Sequence, residues 1–155
     1  MMEKTNVMRV LDQKKVSYKS YTYSDVISGI EVAEALGENP EQVFKTLVTV
    51  GASKKYYVYM VPVCKELDLK KAAKAVGEKS IQMIKAKELL PLTGYIHGGC
   101  SPIGMKKLFT TTVDESAGNF ETIIFSAGKI GYQVEVALSD LQKVIPVKTG
   151  DICEG

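Results

Sequence analysis

The chain has 155 residues, 45% hydrophobic and 25% charged, a balance that describes one globular domain over residues 1–155 and excludes a disordered tail or a fibre. Twenty basic residues against eighteen acidic leave a formal net charge of +2, too little for a general nucleic-acid binder, so a polyanionic partner has to be met by a local patch. No apolar run reaches the roughly 20 residues that a bilayer crossing needs, the N-terminal MMEKTNVMRV lacks a signal-peptide core, and the widely spaced Cys64, Cys100 and Cys153 argue against a disulfide framework or a structural zinc; the expectation is a soluble cytoplasmic protein.

Asn6 to Lys15 opens with Thr5 or Asn6 as N-cap, and Val7, Val10 and Leu11 recur at helical spacing. Tyr18 to Tyr23, YKSYTY, reads as a strand, and a helix around Glu31 to Leu36 ends at Gly37. Asn39 and Pro40 then look like the start of a brief helical turn. Val43 to Val50, VFKTLVTV, is apolar on both faces, as in a strand covered on two sides, with Lys45 as the exception. A lysine ammonium there either reaches a cavity or partner, or lies near a strand end and snorkels to water.

After a turn at 51–55, Tyr56 to Val63 returns as the second strand of a hairpin, with Pro62 placing its end at an edge or bulge. Asp68 caps a helix over Leu69 to Val76, closed by Gly77; Leu69, Ala72, Ala73 and Val76 form its apolar side and Lys70, Lys71 and Lys74 its basic side. A short strand at Ser80 to Ile84 and a short helix from Ala86 to Leu90, stopped before Pro91, follow. Strands at Phe109 to Val113 and Glu121 to Ser126 flank a turn holding Gly118 and Asn119. The AGKIG turn at 127–131 leads into a strand from Tyr132 to Leu138. Ser139 caps a last helix, and the tail beyond Pro146 carries no strong signal. These elements predict an α+β domain built on a curled, mixed sheet.

Thr93 to Lys107, TGYIHGGCSPIGMKK, crowds four glycines around the chain's single histidine, His97, with Cys100 and Ser101, and reads as a pocket wall whose backbone a ligand approaches closely. Lys106 and Lys107 at its end suit an anion. One chemistry open to this loop is a Cys100 nucleophile with His97 as base, although the spacing is no recognised signature and no third group orients the pair. The other is an electrostatic pocket without a protein nucleophile: loop backbone groups meet a reacting carbonyl, Lys45 supplies positive charge, and Glu135 or Tyr23 a polar partner.

Four segments in order, VFKTLV at 43–48, LDLKKAAKAVG at 67–77, the glycine-rich loop at 93–107 and SAGKIGYQVEV at 126–136, make the chain resemble the YbaK family of trans-editing proteins, which deacylate mischarged cysteinyl-tRNA(Pro). The likeness runs from the first helix to Asp140, and related domains are inserted in bacterial prolyl-tRNA synthetases. It implies a mixed β-barrel-like core with surrounding helices. It further implies Lys45, Gly98 and Ser101 as catalytic positions and Tyr23, Gly99, Gln133 and Glu135 as substrate-binding ones; the residues themselves make the lysine face of Lys70, Lys71 and Lys74 and the pair Lys106 and Lys107 candidates for tRNA phosphates. In the implied reaction the substrate's own thiol attacks its ester, giving a thiolactone and free tRNA, with no cofactor or metal. The partners implied are the acceptor end of mischarged tRNA(Pro) and, transiently, prolyl-tRNA synthetase. Two departures stand out: Gln133 replaces an aspartate found in some members, and Cys100 replaces the usual aliphatic residue. A non-catalytic module that binds aminoacyl-tRNA, or a deacylase for another small amino acid such as alanine, are the competing expectations.

Overall fold

The computed structural model describes residues 3–23 and 29–155. Helix α1 (Asn6–Gln13) buries Val7, Met8 and Leu11, and the Thr5 hydroxyl caps it by accepting from the Met8 N–H at 3.3 Å. After β1 (Lys19–Thr22), helix α2 (Gly29–Ala35) stops where Gly37 takes φ +68° and the Glu38 N–H turns back to the Ala33 carbonyl at 2.7 Å. Asn39 caps the expected single turn, its Oδ1 accepting from the Glu41 N–H at 2.9 Å.

Strands β2 (Phe44–Gly51) and β3 (Tyr56–Pro62) form the expected antiparallel hairpin, paired from Phe44–Pro62 to Val50–Tyr56. Helix α3 (Leu69–Val76) begins at Asp68, whose carboxylate accepts from the Lys70 and Lys71 N–H groups, and ends at Gly77 with φ +75°. Strand β4 (Ile81–Met83) pairs antiparallel with β2, and α4 (Ala86–Thr93) follows. Strand β5 (Thr110–Asp114) adds in parallel to β3, β6 (Ile123–Ser126) and β7 (Tyr132–Val136) pair antiparallel, and after α5 (Leu138–Val144) strand β8 (Val147–Gly150) adds in parallel to β5. The result is a five-stranded sheet in the order β4-β2-β3-β5-β8 and a three-stranded sheet in the order β1-β7-β6.

The α+β class is as expected; the single barrel-like sheet is not. Among the described residues the two sheets meet at one parallel bridge, Val43 to Ile124, supported by the Ile124 N–H on the Gln42 carbonyl at 3.1 Å. The main core, with Val7 and Leu11 of α1, Phe44, Met60, Val113, Phe125, Val134 and Leu141, fills one side of both sheets. A second core under α3 holds Tyr59, Val61, Ala72, Ala73, Ile81 and Ile152, and Leu47 packs against it. Phe44 and Leu47 thus bury opposite faces of β2, the two-sided cover that its pattern implies.

Several local expectations are corrected. Helix α4 runs through Pro91 to Gly94, which takes φ +86° and closes it with its N–H on the Leu90 carbonyl at 2.8 Å; the short helix tolerates the one missing N–H. The bonds of α5 start at the Ala137 carbonyl, so Ala137, not Ser139, is its N-cap. Leu69 is 42% exposed instead of joining the apolar side of α3. Pro62 ends a central strand beyond its last pair with β5, Met60–Val113, where no N–H is asked of it. The turn at Gly118 and Asn119 is a 3-10 segment, Glu115–Asn119, that carries the chain from one sheet to the other. The tail is also structural: beyond β8, Ile152 is fully buried and Cys153 bridges to Leu67.

Candidate functional site

Lys45 is the second residue of β2 and stands across from Val61. Its side chain is 29% exposed and its Nζ lies 3.3 Å from Oε1 of Glu66, a carboxylate that is itself mostly in solvent. An ion pair of that kind holds weakly, about 0–1 kcal/mol, so Glu66 restrains the ammonium without sequestering it from an incoming ligand. Two residues earlier on the same side of the strand, Val43 forms the bridge to the three-stranded sheet.

The glycine-rich loop docks on the AGKIG turn. Gly98 has φ +87°, is exposed, and has Ile130 Cγ1 3.6 Å from where a Cβ would project. Gly99 is buried, and a Cβ there would come within 3.2 Å of the Ile130 nitrogen. Of these two neighbours only Gly98 has exposed backbone. Ser101 is fully buried and its Oγ accepts from the Ile103 N–H at 3.3 Å. Burial pushes the Cys100 thiol up to about 12, so it stays protonated at neutral pH and is a poor nucleophile; His97 is exposed. The Tyr23 N–H donates to the Gly131 carbonyl at 2.9 Å, which ties β1 to the same turn.

The three-stranded sheet supplies the polar side. Register puts Lys19, Tyr21, Gln133, Glu135 and Ile124 on one face, and Ala33 of α2 packs there with Val43, Val63 and Ile124. Glu135 is not the solvent-facing residue that alternation alone suggests. Its Oε1 accepts from the Tyr21 hydroxyl at 2.5 Å and its Oε2 from the Thr122 hydroxyl at 2.5 Å, while Gln42 Nε2 donates to the Thr122 Oγ1 at 3.2 Å. Burial alone would raise the Glu135 carboxyl, but the bonds from Thr122 and Tyr21 outweigh it and hold the group below its usual range. Gln133 is 5% exposed, and its amide, turned so that nitrogen faces Glu38, donates to the Glu38 carboxylate oxygens at 3.1 and 2.9 Å. Burial, with the nearby charge of Glu135, pushes Glu38 up to about 7. Tyr21, Glu38, Thr122 and Gln42 were not legible as site residues, because their contacts cross between elements far apart in the chain.

The basic candidates separate. Lys70 and Lys74 are exposed on α3, whereas Lys71 is turned inward to Asp151 Oδ1 at 3.2 Å and the Cys153 carbonyl at 2.9 Å. Lys106 lies over Gly94 and donates to the Pro91 carbonyl at 3.4 Å; Lys107 is exposed beside an apolar cavity of about 210 Å³ lined by Val10, Ile103, Leu108, Phe109 and Ile145. A more polar cavity of about 450 Å³ lies around Lys65, Asp114, Asp151 and Glu154. Neither cavity is lined by Lys45, Gly98 or Gln133.

This arrangement of sheets and helices is shared with solved proteins. One described as a "putative trans-editing enzyme for prolyl tRNA synthetase" superposes with a TM-score of 0.84 at 24% identity over 96% of this chain and 95% of its own. Another, hypothetical protein APE2540, gives 0.87 at 19% identity over 96% and 99%. The class is thus an α+β domain whose fold these two structures share. Residues 25–144 match the aminoacyl-tRNA editing domain, and 138 residues are 51% identical to the Enterococcus faecalis (strain ATCC 700802 / V583) protein "Putative Cys-tRNA(Pro)/Cys-tRNA(Cys) deacylase EbsC", covering 87% of this chain and 84% of that one. The chain belongs to the aminoacyl-tRNA editing domain family. No helix among the described residues is long and apolar enough to cross a membrane.

Proposed function

We propose that this protein is a deacylase that removes cysteine from mischarged Cys-tRNA(Pro), acting in trans on the free aminoacyl-tRNA. The observation that supports the mechanism is the loop's single thiol: Cys100 is half-buried and raised by that burial, while His97 is exposed, a setting that disfavours a protein thiolate and suits a reaction in which the substrate brings its own sulfur. The cysteinyl group's own sulfur attacks its ester carbonyl, the new S–C bond replaces the bond to the ribose oxygen, and the thiol proton ends on that oxygen, giving a thiolactone and free tRNA. The Gly98 backbone orients the ester and Ser101 supports its loop from within. Lys45 offers positive charge to the oxygen that gains it, the moment at which such a charge lowers a barrier most. Tyr23, Gly99, Gln133 and Glu135 shape the walls around the aminoacyl group.

The task suits a second sieve. Cysteine and proline are close in size, and a pocket that discriminates by volume alone gains only about 10–200-fold per methylene. A pocket that relies on the substrate thiol gains selectivity from reactivity, since alanine and serine lack the sulfur. With a formal charge of +2 the protein has little general grip on RNA, and delivery by prolyl-tRNA synthetase supplies the affinity.

The test is release of cysteine from Cys-tRNA(Pro), with Cys-tRNA(Cys), Ala-tRNA(Pro) and Ser-tRNA as comparisons. Lys45→Ala is expected to lower kcat/KM about 100-fold or more, the scale of a lost electrostatic stabiliser, while Cys100→Ala retains activity. Undiminished turnover by Lys45→Ala would remove that residue from the reaction. A folded but inactive Cys100→Ala would restore the nucleophile model.

A further inference from the structure

Gln133 shapes a wall in the proposed reaction, but its partner Glu38 is left there without a task. Glu38 sits on the turn after α2, opposite the middle of β7, and the almost fully buried Gln133 amide meets both of its oxygens at 3.1 and 2.9 Å. The titratable groups facing Glu38 are Glu135 from β7 and Tyr21 from β1, and Lys19 sits across from Glu135. Both Glu135 oxygens are already taken by Tyr21 and Thr122. Glu38 is thus the carboxylate of this network whose hydrogen bonding changes with its proton.

We propose that Glu38 is a positioning residue that sets which edge of the Gln133 amide the site presents. When ionised it accepts the amide N–H groups and turns the amide oxygen away from itself, an acceptor suited to the α-ammonium group of an aminoacyl ester. When protonated its O–H donates to the amide oxygen, and the turned amide presents N–H groups that oppose that ammonium. Burial and the Glu135 charge place the exchange near neutrality, at about 7. The substrate part of this inference rests on the deacylase reading; the amide reorientation does not.

Two measurements separate them. In the protein without tRNA, the Gln133 side-chain amide NMR signals are followed from pH 5.5 to 8.5; wild type is expected to titrate with a midpoint near 7, Glu38→Gln to stay flat, and Glu38→Asp to titrate. A flat wild type, or an unchanged titration in Glu38→Gln, overturns the proposal whatever the enzyme does. On Cys-tRNA(Pro), wild-type kcat/KM is expected to rise about fivefold or more through the same midpoint, and the Glu38→Gln profile to lose that step while keeping any contribution from the substrate's own amine. Superimposable profiles would show that the amide turns without serving the reaction and would overturn the positioning role. Were no tRNA deacylated, the deacylase reading would fail while the NMR titration still decided the fate of the Glu38–Gln133 pair.

Discussion

Two glutamates in one network are driven in opposite directions by their immediate surroundings. Glu38 is raised by burial and by Glu135, whereas Glu135, half-buried itself, is lowered because Thr122 and Tyr21 donate to it. A glutamate raised from 4.5 to about 7 holds its proton more tightly in the folded protein than in the unfolded chain. The stability this contributes is complete below pH 4.5 and is lost as pH rises through about 7. At about 1.4 kcal/mol per unit the full shift is about 3 kcal/mol, and partial solvation reduces it to about 1–2. Glu38→Gln is therefore expected to raise the unfolding free energy at pH 8 by about 1 kcal/mol and to change it little at pH 4; urea unfolding at the two pH values checks this, and an equal gain at both would uncouple Glu38 from the effect. The sequence pointed to Gln133 and Glu135 but not to Glu38, which follows a helix-ending glycine and reads as solvated. Only the register that sets Tyr21 across from Gln133 brings the group together.

Elements whose signals are local came through in the sequence with small errors at their ends. Helix α3, with Asp68 in front and Gly77 behind, matches its predicted span because both signals act within one turn. At α5 the same logic chose Ser139, yet the helix starts two residues earlier, on the Ala137 carbonyl, with Leu141 fully buried. Asp68→Ala is expected to cost about 1 kcal/mol and Ser139→Ala less than about 0.5, measured by thermal or urea unfolding. Strand β8 escaped notice because its four residues earn their place through parallel pairing with β5, a partner more than thirty residues away. Its importance to the fold is testable just beyond it: Ile152→Ala, at a fully buried position of the second core, is expected to cost about 2–4 kcal/mol. A cost under 1 kcal/mol would mean that the tail only rests on the sheet.

On the whole molecule, the basic face of α3 divides because the returning C-terminal segment captures one of its lysines. Lys70 and Lys74 remain exposed, while Lys71 is held by Asp151 and the Cys153 carbonyl. If this face meets the tRNA backbone, alanine at Lys70 or Lys74 should each reduce the slope of log K against log salt by about one unit, and Lys71→Ala should leave it unchanged. Filter binding over a salt series reads both, and an equal loss at all three positions would assign the grip to charge alone. The helix face was legible from periodicity; the capture of Lys71 depends on where a distant strand ends. One consequence concerns the seam between the sheets. Lys45 rides on the five-stranded sheet and Gln133 with Glu135 on the three-stranded one, and among the described residues the two sheets are laddered at the Val43–Ile124 rung. Gln42 spans that rung by donating to the Thr122 carbonyl at 2.9 Å, and the Thr122 hydroxyl in turn holds Glu135. The residue that joins the two sheets at this rung also braces the hydroxyl that holds Glu135, so the seam between the sheets and the tuning of that carboxylate share one set of hydrogen bonds.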